Sequence, residues 1–129
     1  MNLRLTLLWG ILTLFAVQAL AEGSGYTGWV KSSKLTELVK AMDDDRKFPG
    51  TVEGRLDGSS IRYRANFIPF LQDMDYFHSR WGMTAKWYQH YSDEYANAGF
   101  KEVSHTTFTD ASGSLLHQVT WVLVSVERI

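Results

Sequence analysis

From Ser32 to Met42 the apolar residues Leu35, Leu38, Val39 and Met42 recur at intervals of three and four among polar ones, the stripe of a helix that buries one face. Ser32 and Ser33 are candidate N-caps, because a hydroxyl there can accept from the unpaired amides of a first turn. Asp43-Asp44-Asp45 puts negative charge where the helix dipole least tolerates it, so the helix is expected to end there. Pro49-Gly50 breaks the chain again, and the period then changes to two. Val52, Gly54 and Leu56 alternate with Glu53 and Arg55, and Ile61, Tyr63, Ala65 and Phe67 alternate with Arg62, Arg64 and Asn66. Asp57-Gly58-Ser59-Ser60 lies between them with turn chemistry, so a β-hairpin with one apolar and one charged face is predicted. Closing it at Gly58-Ser59 pairs Leu56 with Ile61, Arg55 with Arg62, Gly54 with Tyr63 and Glu53 with Arg64.

The plan then repeats. Thr84 is placed to cap a helix with Tyr88, Tyr91 and Tyr95 on one stripe, and Gly99 is its stop. Phe100–Phe108 and Leu115–Val124 are the predicted strands around Asp110-Ala111-Ser112-Gly113. Trp29 and Trp81 are separated by the same interval as Phe48 and Phe100, and Phe67 and Trp121 by slightly more because the second turn is longer. The expected fold is α+β, two helix plus β-hairpin repeats (about 28–68 and 80–124) packed as one small domain, with Ile68–Arg80 as connector. Its most buried positions should be Leu38, Val39, Phe67, Tyr88, Tyr91 and Trp121, where stripes and closing strands meet.

The beginning of the chain is patterned differently. Met1–Arg4 carries one positive charge, Leu5–Val17 is almost wholly apolar, and Ala19-Leu20-Ala21 is a small-x-small cleavage site. The apolar run is short for a membrane span, which needs roughly twenty residues. Residues 1–21 are therefore expected to be a signal peptide and 22–129 a single domain, secreted or periplasmic, with no stable membrane span once the leader is removed.

Composition narrows the function. The 129 residues are 45% hydrophobic and 21% charged, which suits one globular domain. No cysteine is present, which excludes disulfides, thiolate metal sites and cysteine catalysis. A net charge of -1 lacks the basic excess of a nucleic-acid binder. Aromatic residues, at 14%, are the one excess.

Trp81-Gly82-Met83-Thr84, Tyr88-Gln89, Tyr95 and Ala98-Gly99-Phe100 resemble a bacterial tandem-repeat family of helix-hairpin units. Gln118-Val119-Thr120-Trp121 is similar to the closing strand of such a unit, and Tyr63-Arg64-Ala65-Asn66-Phe67 to the same strand of the unit before it. The resemblance covers about residues 28–124. It implies export and a helix-hairpin fold, and neighbourhood to secreted serine hydrolases of the β-lactamase-like class, polyglycine hydrolases among them. It implies no catalytic residue.

That hydrolase chemistry needs serine three residues before an activating lysine, and no lysine of the chain has serine at that offset. Tyr95-Ala96-Asn97 mimics a Tyr-x-Asn element of the class, but Tyr95 falls on the predicted buried stripe. Gly-x-Ser-x-Gly, phosphate-loop and metal-ligand motifs are missing as well, so no catalytic residue, metal or cofactor is assigned and the chain leans away from being an enzyme.

Four groups remain as candidates. Pairing Phe108 with Ser114 puts His105 opposite His117, a possible acid–base or ligand pair that shares its face with Val103, Val119 and Trp121. Arg55, Arg62 and Arg64 project from the first hairpin, and Arg55 facing Arg62 is unfavourable unless something anionic lies between them, which makes them binding candidates. Trp87 falls off the Tyr88/Tyr91/Tyr95 stripe and is the aromatic of that helix expected to be exposed and able to stack on a sugar. Asp43-Asp44-Asp45 with Asp73 and Asp75 fits no EF-hand spacing. Two functions are carried forward: an exported non-catalytic module binding an anionic or glycan polymer or a protein, and a small secreted hydrolase or accessory subunit of a β-lactamase-like serine hydrolase.

Overall fold

A computed structural model describes residues 25–125, and the expected signal peptide lies outside the described residues. The order of elements is α1 (Ser32–Asp44), β1 (Lys47–Asp57), β2 (Ser60–Pro69), β3 (Met74–Met83), α2 (Ala85–Asn97), β4 (Lys101–Thr109) and β5 (Leu115–Val124). The chain is a mixed α+β domain with two antiparallel sheets, β1-β2 and β3-β5-β4. No helix among the described residues is long and apolar enough to cross a membrane.

The first helix buries Leu35 and Leu38 against Val52, Tyr63, Ala65 and Phe67, and its half-buried Val39 and Met42 extend that cluster. Neither predicted serine caps it. Lys31 is the N-cap and supplies no side-chain bond, while Ser32 Oγ accepts from Trp81 Nε1 at 2.9 Å, so tertiary structure has taken the hydroxyl. The first hairpin has the predicted register, Leu56 with Ile61, Arg55 with Arg62, Gly54 with Tyr63 and Glu53 with Arg64. Pro49-Gly50 proves to be a bulge inside β1 rather than a break, and the strand continues back to Lys47.

Two expectations need correction in the second half. The connector contains strand β3, antiparallel to β5. Bulges between Met74 and Tyr76 and between Arg80 and Met83 break the period of two, which is why no strand pattern shows in the sequence. In addition, Phe108 pairs with Leu116, not Ser114. Asp110 draws the residues as far as Ser114 into the turn, its Oδ1 accepting from the Ser112 and Ser114 amides at 2.9 Å. A slip of two leaves every side chain on its intended face.

The other helix begins as predicted, with the Trp87 amide donating to Thr84 Oγ1 at 3.5 Å. Tyr95 is buried with Met83, Val119 and Trp121, whereas Tyr88 and Tyr91 are half-buried and pack on the rim of that cluster. Gly99, at φ +93, turns the chain out of the helix toward β4.

The halves are joined through their sheets. Thr120 Oγ1 donates to Pro49 O at 2.8 Å, Thr106 Oγ1 donates to Val52 O, and the Phe108 ring lies edge-on to Tyr63 with centroids 6.1 Å apart. A third cluster, Phe48 with Met74 and Val122, closes the junction. Each half also has an extended segment ahead of its helix, lying against the second strand of its hairpin: Tyr26 and Val30 bridge to Asn66 and Tyr63 on β2, as β3 pairs with β5.

Candidate functional site

Where the two helices face each other, β3 forms the floor of an open cleft of about 670 Å³. Thr36 and Lys40, one turn apart on α1, make one wall, and Trp87 and Tyr91, one turn apart on α2, make the other. His78, Arg80 and Trp81 rise from the strand between them. Thr36, Lys40 and Trp87 lie off the apolar stripes of their helices, whereas Tyr91 belongs to its stripe and borders the cleft from the stripe's edge.

The aromatic groups are held in place. Trp81 is pinned through its indole N–H to Ser32 and lies beside the Tyr63 ring at 6.4 Å. Trp87 is 48% exposed and stacks on Tyr91 at 5.9 Å, and Tyr91 in turn stacks on Tyr95 at 5.7 Å. An exposed apolar face is thus backed by a column reaching the core.

The polar groups are mostly cationic. Arg80 Nε donates to the Tyr95 hydroxyl at 2.8 Å, and its guanidinium carbon sits 3.7 Å from the centre of the Tyr91 ring. It is half-buried and makes no ion pair among the described residues. Lys40 makes none either, and no Asp or Glu lines the cleft. His78 stacks flat on Tyr95 at 4.2 Å. Burial, then the nearby Arg80 charge, hold its pKa below the ordinary 6.5, with Glu94 acting the other way.

Of the candidate site residues read from the sequence, only Trp87 lies here. Arg55, Arg62 and Arg64 remain on the first hairpin, outside the cleft. Arg64 pairs with Glu53 at 2.8 Å and lies over the rings of Tyr26 and Trp29 at 4.4 and 4.7 Å. Arg55 also covers the Trp29 ring, at 4.3 Å, and its Nη2 is 4.0 Å from Asp57. The π face of Trp29 thus receives Arg55, which stands opposite Arg62 across the strand pair. Arg62 makes no ion pair among the described residues.

His105 and His117 do meet, by a different route from the one expected. They are diagonal neighbours, opposite Val119 and Thr107 respectively, with His105 Nε2 2.8 Å from His117 Nδ1. Glu102 Oε2 is 3.3 Å from His105 Nδ1, and the Tyr88 hydroxyl donates to Glu102 Oε1 at 3.0 Å. The Tyr88 ring stacks on His117, centroids 4.9 Å apart and nearly parallel. Glu102, His105 and His117 thus form one continuous chain of polar contacts, with the donor between the two imidazoles set by their tautomers. Burial, then the His105 charge, hold the His117 pKa below 6.5, and Glu102 opposes them. Val103 does not share this face, because the bulge between Glu102 and Ser104 turns it out beside Phe48 and Ile68. Among the described residues no group of three or more His, Asp or Glu is arranged to hold a metal ion.

Lys40, His78 and Arg80 were missed as site residues. Arg80 adjoins the Trp81-Gly82-Met83-Thr84 run, and that adjacency was the available signal. In comparisons with known proteins, no family model, curated protein or solved structure matches the chain.

Proposed function

We propose that this chain is an exported, non-catalytic module of two helix-hairpin copies that binds a polymer or glycan in the cleft between α1 and α2. The cleft itself carries the proposal: a concave site of ligand size, with an exposed tryptophan on a fixed aromatic column and polar groups on its floor. Support for two copies comes from the same order of extended segment, helix and hairpin in each half. Support for export comes from Leu5–Val17 and Ala19-Leu20-Ala21. The absence of Ser-x-x-Lys and Gly-x-Ser-x-Gly speaks for binding without chemistry. Titrating tryptophan fluorescence with soluble polysaccharides should give saturable quenching that Trp87→Ala weakens about tenfold, the loss expected for one stacked aromatic. Saturable binding that Trp87→Ala leaves unchanged would move the site elsewhere, and no binding to any polymer would end the proposal.

One observation favours a second function, a small secreted hydrolase or an accessory to one. The chain Glu102–His105–His117 ends on an imidazole kept neutral near pH 7, as a general base requires. Turnover of chromogenic esters, peptides or glycosides that His117→Gln abolishes would establish it in place of the first.

A further inference from the structure

We propose that the ligand of the cleft is an acidic sugar, a pyranose carrying a carboxylate, and that Arg80 is the residue that takes the carboxylate. This rests on the cleft being the binding surface and adds which ligand it selects.

Among the described residues, Arg80 brings to the floor of the cleft a charge that no carboxylate pairs. Arg80 is half-buried, and its guanidinium is charged at any accessible pH. Its orientation is set by the Tyr95 hydroxyl on Nε and the Tyr91 ring beneath it. Both contacts leave the terminal nitrogens without an acceptor, and no carboxylate of the described residues lies within ion-pair distance. A preoriented fork of donors in a partly desolvated floor matches the two oxygens of a carboxylate.

The surroundings point the same way. Lys40 stands on the α1 wall, also without an ion pair among the described residues, and no acidic residue lines the cleft. The whole chain has 14 acidic and 13 basic groups, so this local positive charge is not a property of the surface at large. Trp87 adds a flat apolar face at the rim, 48% exposed. A pyranose ring offers C–H groups to such a face and holds its carboxylate rigidly beside them. An acidic peptide carries its carboxylates on flexible stems and has no matching flat face. Charge and aromatic surface together therefore select the sugar.

The test compares an oligogalacturonate with a neutral cello-oligosaccharide of the same length and with polyglutamate, by calorimetry on the full mature chain. The oligogalacturonate should bind most tightly, and less tightly as salt is raised. Arg80→Gln should weaken it by about 10- to 100-fold, the loss of a charge-assisted hydrogen-bond pair, while leaving the neutral oligosaccharide unaffected. Because Arg80 also touches Tyr95, exposed Lys40→Gln serves as the second variant and should weaken the acidic ligand alone, by a few-fold. Equal affinity for the neutral and acidic sugars, unchanged by either substitution but lost in Trp87→Ala, would overturn the acidic-sugar assignment and keep the module. Arg80-dependent binding of polyglutamate as tight as that of the uronate would make the ligand a peptide and overturn it too. If Trp87→Ala and Arg80→Gln both leave sugar binding intact, the cleft is not the site and both proposals fall.

Discussion

Arg55 and Arg62 face each other across β1 and β2, yet their surroundings differ in a way that sets opposite signs for their removal. Arg55 covers the Trp29 ring and approaches Asp57, so Arg55→Gln should lose about 0.5–1 kcal/mol by urea titration. Arg62 has no ion pair among the described residues to lose and feels the like charge opposite, so Arg62→Gln should be neutral or stabilising by about 0.2–1 kcal/mol. Equal losses in both variants would show that Trp29 does not distinguish them. The histidines make a second residue-scale prediction. His117 and His78 both have folded pKa values below the 6.5 of the free side chain, mainly because burial disfavours the charged form. Protons therefore bind the unfolded chain more readily, and the stability these groups contribute is complete above pH 6.5 and lost as pH falls through their folded values. Melting temperature should decline below about pH 6.5, and His117→Gln should flatten part of that decline. A profile that His117→Gln leaves unchanged would assign the acid sensitivity elsewhere.

Among the elements, the two hairpins show what a turn can specify. Asp57-Gly58-Ser59-Ser60 is short and its ends are fixed by Gly58 at φ +69, so the pairing of β1 with β2 follows from the turn alone. The second turn is longer and organised by the Asp110 carboxylate, whose pKa is lowered first by the Ser112 hydroxyl hydrogen bond. That capture moves the register by two, and only parity kept His105 and His117 on one face. Strand β3 was hidden for a related reason: bulges at both ends let Met74 and Met83 be buried while Tyr76, an apolar-looking position, is 66% exposed. The absence of a side chain at Gly54 is an element-scale requirement of the same kind. A Cβ there would run into the Phe108 ring of β4 and press on Tyr63. Gly54→Ala should cost about 1–3 kcal/mol by denaturant titration even though β-propensity favours alanine, because the strand-to-strand approach has no room to relax. A stabilised variant would mean that β1 and β4 are farther apart than described.

At the scale of the molecule, the core is three connected clusters rather than one, with Trp121 in the middle of the second and 2% exposed. Trp121→Ala should cost about 3–5 kcal/mol, and loss of the indole should loosen Tyr95 and with it the seat of Arg80. A loss below about 1 kcal/mol would show that the second cluster does not depend on that contact. Expected burial at Leu38, Phe67 and Trp121 agrees with the structure, while Val39, Tyr88 and Tyr91 are only half-buried. The reason is geometric. Val39 and Tyr91 stand at stripe edges that border the cleft, and Tyr88 lies over His105 and His117 on its own sheet rather than beneath a covering layer.

What the residues alone determined is local. Helix positions follow from spacing, the first hairpin and its register from a short turn, and the α+β class from both, because each depends on neighbours in the chain. The cleft depends on distant ones. Thr36 and Lys40 on α1, Arg80 on β3 and Trp87 and Tyr91 on α2 share no motif, and they converge because sheet contacts such as Thr120 to Pro49 bring the halves together. Two side chains close in space but far apart in sequence leave no periodic signal, and a charge gains its meaning from the partners that the fold withholds. For that reason Trp87 could be recognised from the chain, whereas Arg80 had only its place beside the Trp81-Gly82-Met83-Thr84 run to mark it and gains its surroundings from the fold.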